Sequence, residues 1–431
     1  MSKTDAPNRS RSGGRYYGWR LVTALGIHTI VAYGTTQYLF GVLVTPVTAT
    51  LGGSRADISS AYSVSLLVSA ALGIPVGRVV DRRGARAVLA CGCLTGAVSL
   101  AALAAGPGLS AFFLVWALGI GTTMALTLYP VTFVVVTNWF DRRRGRAMAL
   151  LTTLGGLSSP LCIPLSGWLI STWSWRTALV VLAVIQLAMA PLAVVFVRHR
   201  PEDLGLRPDG DPSAGSGASA VPPAGQTPRR AVRGAAFWCL TAAGSTAMLA
   251  ANALQVHQIP YMISRGMSPV LASTVSGLTG LASVPARLVL NTWTERVASR
   301  RLLCLATGAM TLATIVLFLA NATWLFVTYA VLYGFGYGSL NPLRATALAD
   351  QFGRLHYGTI TAWQNAAVLP AAAVGPALTG LLFDACGGYG PGLLAVVGCT
   401  ALGTLAAALT PAPGPSPPPG TGAAPSPGAG R

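Results

Sequence analysis

Apolar stretches of about 20 residues recur along the chain, and short polar segments separate them. A helix rises ~1.5 Å per residue, so about 20 apolar residues cross the ~30 Å hydrocarbon layer of a bilayer. About twelve such stretches can be counted, the first near residues 19–44 and the last near 390–409. The pattern predicts an all-α polytopic membrane protein with twelve transmembrane helices.

The polar segments divide the chain into two halves. The segment 198–235 is rich in Pro, Gly, Ser and charge and has no apolar periodicity, which predicts a cytoplasmic linker. It separates a six-helix half at 16–197 from another at 236–410. The ends, 1–15 and 411–431, are polar or rich in Pro and Gly and are predicted to be disordered tails.

A short repeat supports two equivalent halves. Asp81-Arg82-Arg83-Gly84-Ala85-Arg86 follows the second stretch, and Glu295-Arg296-Val297-Ala298-Ser299-Arg300 follows the eighth at a matching offset. Parallel halves with a site at their interface suit alternating access. We expect the residues of these turns to fix helix ends in one conformation, and the predicted conformational set is Gly77, Asp81, Arg82, Gly84, Arg86, Glu295 and Arg296.

Basic residues are concentrated on one side of the predicted membrane. Of the 29 Lys and Arg residues, 25 fall in the alternate polar segments that include both termini, and Arg55, Arg176 and Arg265 fall on the other side. The positive-inside rule then predicts a multi-pass protein of the cytoplasmic (inner) membrane with both termini in the cytoplasm. The net charge of +18 therefore reflects topology and does not indicate a nucleic acid-binding surface.

The remaining basic residue, Arg287, lies deep within an apolar stretch. It precedes the polar turn at Glu295 by eight residues, or about 12 Å of helix, and a charge at that depth costs a few kcal/mol. None of the 11 acidic residues falls inside a predicted span. We expect a substrate anion to be the counter-ion, because guanidinium binds carboxylate bidentately. The alternative is a structural arginine that donates to main-chain carbonyl groups.

Several uncharged residues are candidate substrate ligands. Tyr333 and Tyr337 follow Tyr329 at helical spacing and share its face; we expect Tyr329 to pack and the other two to line a cavity. Ser283 lies one turn before Arg287, and Gln364 lies in the eleventh stretch.

His257 is the candidate proton carrier, since histidine changes charge near neutral pH and no acidic residue falls within a span. The alternative is a histidine held by structural hydrogen bonds. His28 has a more apolar surround and is the weaker candidate.

Two sets of motifs resemble known transporters. Gly77-x-x-x-Asp81-Arg82-x-Gly84-x-Arg86 resembles the signature between the second and third spans of the major facilitator superfamily. A narrower set resembles the bacterial branch of the monocarboxylate transporter family and the related oxalate–formate exchangers. It comprises Tyr17-Gly18-Trp19-Arg20, Tyr129-Pro130, Asn138-Trp139-Phe140, Arg142-Arg143-Arg144-Gly145-Arg146-Ala147, Pro164, Trp168-Leu169-Ile170 and Trp175-Arg176.

The resemblance covers about residues 16–409 and implies the major facilitator fold, with two six-helix halves. It implies a substrate-binding role for Arg287, which falls on the family's arginine in the eighth span, and it favours Tyr129 as a hydroxyl donor. Eukaryotic members carry an aspartate where this chain has Ser283. They carry a lysine where it has Gln37, so the resemblance makes Gln37 a further candidate substrate ligand. The oxalate exchangers carry a second cation in span 11, and this chain has none between 359 and 383.

Together these features predict a secondary active transporter that moves a small organic monocarboxylate by alternating access with proton coupling. We expect a functional monomer whose partners are the substrate, protons and lipid. Two alternatives stay open: a proton-coupled exporter of a larger metabolite or drug, and a proton-independent carboxylate exchanger. The sequence has no phosphate-binding loop, metal-ligand spacing or nucleophile–base pattern, so we expect no enzyme activity, cofactor or metal.

Overall fold

The computed structural model describes residues 16–106, 108–140, 143–198, 200–207, 209, 226–293, 296–353 and 357–412. Twelve long helical spans account for most of these residues, which confirms the all-α prediction. The first six are α1 (Tyr17–Leu51), α2 (Arg55–Arg83), α3 (Ala85–Ala104), α4 (Leu109–Trp139), α5 (Arg144–Gly156 and Ser158–Thr172) and α6 (Trp175–Phe196). The other six are α7 (Ala235–Ser264), α8 (Pro269–Trp293), α9 (Ser299–Leu319), α10 (Thr323–Phe352), α11 (Tyr357–Cys386) and α12 (Tyr389–Ala408).

Eleven of these spans are long and apolar enough to cross a membrane among the described residues. The one span that does not meet this criterion is α10. It is 30 residues long, but its tyrosines, its glycines and the polar residues of its last turns lower its hydropathy. Length and packing, not hydropathy, therefore identify α10 as a span.

Two spans contain π-helical turns near their middles. α1 contains a π-helical turn at Gly34–Tyr38, and α4 contains another at Val115–Ile120. α4 also breaks at Leu128, whose backbone is extended, and resumes at Tyr129 with Pro130 in its first turn. Proline suits that position because its missing N–H would have no partner there. Short π-helical segments occur frequently at functional sites.

The segment between α6 and α7 is described only in part. A short 3-10 helix covers Pro201–Leu204 and an α-helix covers Pro228–Arg233. Most of the predicted linker between them, and nearly all of both predicted tails, lie outside the described residues.

Buried side chains fall on either side of this segment. One cluster in α1–α6 is built around Phe40, Tyr62 and Trp116, and a second contains Trp139 and Phe140. The largest cluster belongs to α7–α12, joined by Val42 and Ile163 from the first half. The two sets of six helices therefore have separate cores that meet along an interface.

α5 and α8 form one seam of this interface, running in opposite directions. Gly167 lies against Ser273, Gly280 against Ser159, and Gly156 against Val284. Small residues allow such close helix approach where no hydrophobic force drives association in lipid. The last pair of the seam is Thr152 and Arg287.

A second inter-half contact joins α2 to α11 at the other end of the bundle. The Asp384 carboxylate accepts hydrogen bonds from the main-chain N–H groups of Arg55 (3.2 Å) and Ala56 (2.8 Å). Arg55 also bonds the Tyr389 hydroxyl and stacks on the Phe383 ring, 4.4 Å from its centroid. We call this the opposite end, and the end that carries Arg82, Arg83, Arg143 and Arg146 the arginine-rich end.

Candidate substrate-binding site

Arg287 lies at the interface of the two halves and is half-buried. Its Nε donates to the carbonyl oxygen of Gly338 in α10, and its Nη1 donates to that of Thr152 in α5, both at 2.9 Å. The structural alternative is therefore partly realised, because two main-chain carbonyls solvate the cation. A guanidinium has five N–H donors, so these bonds leave donors for a further acceptor.

No carboxylate pairs with Arg287 among the residues that the structure describes. Glu295, the next acidic residue along the chain after Arg287, lies outside the described residues. Arg287 points towards the α5–α8 seam between the halves, not towards the ends of its own helix. This is the position from which a cation can meet a ligand bound between two halves.

Tyr129 lies beside Arg287, close enough for the guanidinium to interact electrostatically with its hydroxyl. The hydroxyl also rests against Gly155 of α5, where an added Cβ would collide with it. The helix break at Leu128 brings Tyr129 to the first position of the resumed helix. The helix start at Tyr129-Pro130 therefore sets the position of the Tyr129 hydroxyl, which sequence analysis had proposed as a donor to substrate.

Further tyrosines surround this pair. Tyr33 lies 4.9 Å from Tyr129 between ring centroids, and Tyr38 and Tyr337 lie close enough to Arg287 to interact electrostatically. Tyr33, Tyr38 and Tyr337 all retain partial exposure inside the bundle. They come from both halves, so the interface around the cation is lined with hydroxyl groups and aromatic rings. Sequence analysis did not predict a role for Tyr33 and Tyr38. Tyr33 immediately precedes the π-helical turn of α1, and Tyr38 is the last residue of that turn.

The three tyrosines of α10 separate into two roles. Tyr329 is fully buried and its hydroxyl donates to Gln258 Oε1 at 2.6 Å, in agreement with the predicted packing role. Tyr333 is 5% exposed and stacks on Tyr337, with ring centroids 5.6 Å apart. Only Tyr337 of the three is placed near Arg287.

The other predicted substrate ligands make no hydrogen bond to the Arg287 side chain in the part of the chain that the structure describes. Ser283 is buried against Gly338, and its hydroxyl donates to Gly280 in its own helix at 2.7 Å. Gln37 is partly exposed in the π-helical turn of α1. Gln364 is fully buried, and neither its amide nitrogen nor its oxygen has a partner among the described residues.

His257 also lies at the interface, nearer the opposite end. Its Nε2 is 2.9 Å from the Pro376 carbonyl oxygen in α11 and 3.2 Å from Ser59 Oγ in α2. Its Nδ1 is buried with no partner among the described residues. The ring lies 5.7 Å from that of Tyr389. His28, by contrast, is buried within the first half beside Cys93 Sγ, 3.4 Å away.

The conformational motif is described in part. Gly84 ends α2 with a φ of +82°, which favours glycine, and its N–H bonds the Val80 carbonyl at 2.9 Å. Gly77 is half-buried in α2, and Arg82, Arg86 and Arg296 are exposed. The side chains of Asp81 and Glu295 are outside the described residues, so their predicted pairing stays a prediction.

One of the 25 basic residues that sequence analysis assigned to the polar segments is Arg344, and this assignment was wrong. Arg344 lies within α10, eight residues before its end at Phe352. Its Nη2 donates to Asn365 Oδ1 in α11 at 3.1 Å, and its side chain lies against Gly244 in α7. The helix extends to Phe352, so the polar residues around position 344 are helical and do not form a turn.

Twelve spans in two separately packed sets, with an arginine between them, are the features of a polytopic membrane transporter. A sequence model of the Major Facilitator Superfamily matches residues 25–323 and 258–429. The chain belongs to this superfamily and is a transporter, not an enzyme. Its sequence resembles those of monocarboxylate transporters.

The relatives agree with this assignment. Monocarboxylate transporter 13 of Rattus norvegicus is 25% identical over 379 residues, 86% of this chain and 84% of the relative. Monocarboxylate transporter 11 of Mus musculus is 28% identical over 66% of this chain and 60% of its own length. An MFS-type efflux pump of Mycolicibacterium smegmatis is 30% identical over 46% of this chain and 45% of its own.

Solved structures share the fold. A bacterial homologue of the lysosomal transporter Spinster, in an inward-facing and occupied conformation, superposes with a TM-score of 0.70. It is 16% identical and covers 92% of this chain and 96% of its own. The nucleoside transporter NupG gives a TM-score of 0.69 at 14% identity, covering 90% of this chain and 99% of its own. At these identities the likeness concerns the fold alone.

Proposed function

We propose that this protein is a secondary active transporter for a small organic monocarboxylate, working by alternating access. The observation that carries the proposal is Arg287, a cation at the interface with no carboxylate partner among the described residues. An unpaired guanidinium in low-dielectric surroundings favours a bidentate anionic ligand. The similarity to monocarboxylate transporters supports the same class of substrate.

The geometry suggests how binding and conformation are linked. The Thr152 carbonyl that accepts from Arg287 belongs to one half, and Arg287 belongs to the other. A substrate carboxylate that replaces this carbonyl removes the last contact of the α5–α8 seam. The tyrosine hydroxyls of both halves, Tyr129 and Tyr337 among them, then donate to the same carboxylate and bring the halves together around it.

Proton coupling is assigned in this proposal to His257. His257 belongs to α7, and its ring contacts Ser59 in α2 and the Pro376 carbonyl in α11. Its charge state therefore acts on the contact that closes the opposite end. The charged groups that face it there are Arg55 and Asp384, and the polar ones are Ser59 and Tyr389. A proton on the imidazole would turn it into an obligatory donor on both nitrogens, which changes which of these groups it binds.

We further propose that the transporter is a functional monomer of the cytoplasmic membrane with its arginine-rich end in the cytoplasm. The asymmetric arginine distribution supports this orientation. The domain limits of the sequence prediction, with a linker at 198–235, form part of the same proposal.

A second candidate function is export of a larger metabolite or drug. The relative named an efflux pump favours it, and so does the aromatic lining, because rings pack well against bulky apolar solutes. The relative covers less than half of this chain, and export of a cation would leave Arg287 unexplained. We therefore keep an anionic compound as the only efflux substrate consistent with the site.

Reconstitution into liposomes tests the proposal. Uptake of radiolabelled lactate- and pyruvate-like acids is expected above that of protein-free vesicles, and an inwardly directed proton gradient should accelerate it. Uptake that ignores the gradient but responds to acid preloaded inside would identify an exchanger. No movement of any monocarboxylate, together with resistance to a toxic compound on expression, would replace the proposal with export.

A further inference from the structure

A groove of about 910 Å³ opens on the outer surface of the first half at the arginine-rich end, away from the interface. It lies between the start of α1, the start of α5 and the end of α6. Three arginines line it, namely Arg20, Arg143 and Arg146, and all three are exposed. No carboxylate pairs with their guanidinium groups within the described residues.

Apart from Tyr16 and Thr23, the remainder of the groove is apolar. Ile27, Leu150, Leu192 and Phe196 form its walls, and Ile27 is 42% exposed. Ile27 lies seven residues beyond Arg20 on α1, which is about 10 Å further along the helix axis. The charged rim and the apolar walls are therefore separated in the direction of the membrane normal, as the headgroup and chains of a lipid are.

The rim is rigidly built. Trp19 packs on Phe140 with centroids 5.0 Å apart, and the Tyr17 hydroxyl donates to the Phe196 carbonyl at 2.9 Å. Gly18 accommodates the Phe140 ring against α1. The Tyr17-Gly18-Trp19-Arg20 motif, which the transport site does not use, thus fixes Arg20 at the mouth of the groove.

We propose that this groove binds an anionic glycerophospholipid of the leaflet that faces the arginine-rich end. Its phosphate meets the three guanidinium groups, and its acyl chains lie along Ile27, Leu150 and Leu192. Basic pockets between transmembrane helices are suited to anionic headgroups, and arginine binds phosphate in a forked geometry. Asp209 accepts a hydrogen bond from the Arg143 main-chain N–H at 3.2 Å. Asp209 and Glu202 both act electrostatically on Tyr16 at the groove, so two carboxylates lie near the rim against three arginines.

Native mass spectrometry of the full chain in neutral detergent tests this. The protein is offered phosphatidylglycerol and phosphatidylcholine with identical chains, and retention of phosphatidylglycerol is expected to be preferred. Each arginine contributes about fivefold, from roughly 1 kcal/mol per basic residue near a membrane surface. The triple variant Arg20→Gln, Arg143→Gln, Arg146→Gln is therefore expected to lose phosphatidylglycerol preference by more than tenfold, and Arg20→Gln alone by a few-fold.

The matched control removes three other exposed arginines at the same end, Arg229, Arg230 and Arg233, each replaced by Gln. It is expected to retain the preference. Ile27→Trp fills the groove without changing charge and is expected to weaken binding as well. Equal loss in both triple variants, no preference for phosphatidylglycerol, or glycerol phosphate binding as tightly as the lipid would each overturn the proposal.

Discussion

Arg287 donates from Nη1 to the main-chain carbonyl oxygen of Thr152 at 2.9 Å, across 135 positions of sequence and from one half of the molecule to the other. The bond closes the α5–α8 seam on the arginine-rich side of its glycine contacts. A main-chain carbonyl is a neutral acceptor, so it solvates the cation only partly. A carboxylate that reaches Arg287 carries a full negative charge, so it can replace the Thr152 carbonyl as the hydrogen-bond acceptor.

Replacement of Arg287 should therefore slow transport strongly while the fold persists. Hydrogen bonds to charged groups contribute ~1.5–3 kcal/mol, so Arg287→Gln should lower kcat/KM for a monocarboxylate by about ten- to a hundredfold. Arg287→Lys, which keeps the charge but loses the forked geometry, should recover a small part. Proteoliposome uptake measures both, and Arg229→Lys serves as an exposed control. Wild-type rates in Arg287→Gln would remove the arginine from the mechanism.

The tyrosine beside the arginine can be displaced without touching either residue. A Cβ on Gly155 would collide with the Tyr129 hydroxyl, the far end of a side chain, so Gly155→Ala should fold with the hydroxyl pushed away from Arg287. We expect a raised KM with little change in expression or thermal stability. A Cβ on Gly145, in the same span, meets nothing within 4 Å. Gly145→Ala is thus the matched control, and an equal KM in the two variants would contradict a role for Tyr129.

Asp384 holds the opposite end closed by accepting from the first N–H groups of α2. Loss of a side chain in such a capping position costs about 1 kcal/mol, so Asp384→Ala should expose this interface about fivefold more often. Ser63 lies at this interface, where its hydroxyl accepts from the Ala377 N–H. The rate at which an impermeant maleimide labels a cysteine placed at Ser63 measures the exposure, with the exposed Cys91 and Cys386 replaced by Ala.

Asp57 provides the control for this prediction. It caps the same helix from within, through reciprocal bonds with Ser54, and touches no residue of the second half in the described contacts. Asp57→Ala should lower stability without accelerating the labelling. If both variants label at the same rate, α2 fraying and not separation of the halves is being measured.

Proton coupling is separable from transport at His257. His257→Gln should carry substrate in counterflow exchange at a rate near that of the unmodified protein, yet should show no acceleration by an imposed pH gradient. His28→Gln is the comparison, since His28 is equally buried but contacts Cys93 within one half. Gradient-driven uptake that survives in His257→Gln but fails in His28→Gln would reverse the assignment.

The number and type of the helices follow from the sequence alone, because the bilayer imposes a local constraint on each of them. Every span must be apolar and long enough to cross, with its backbone bonded within itself, so helix number and the anomaly of Arg287 are visible in single stretches. The packing role of Tyr329 was likewise predictable from its spacing with Tyr333 and Tyr337. Superfamily membership followed from the motif that ends α2.

The tertiary structure decided which residues contact one another, because the two members of each contact come from distant stretches of the chain. Thr152 as the acceptor of Arg287, Tyr33 and Tyr38 beside it, and Arg344 bonded to Asn365 inside the bundle have no local pattern. Nor does any local pattern gather Arg20 with Arg143 and Arg146 at one groove. Hydrophobicity specifies that a helix enters the membrane, but lipid surrounds all its faces alike. Which face meets which neighbour depends on close packing of small residues and on hydrogen bonds between helices, and those exist only once the helices have assembled.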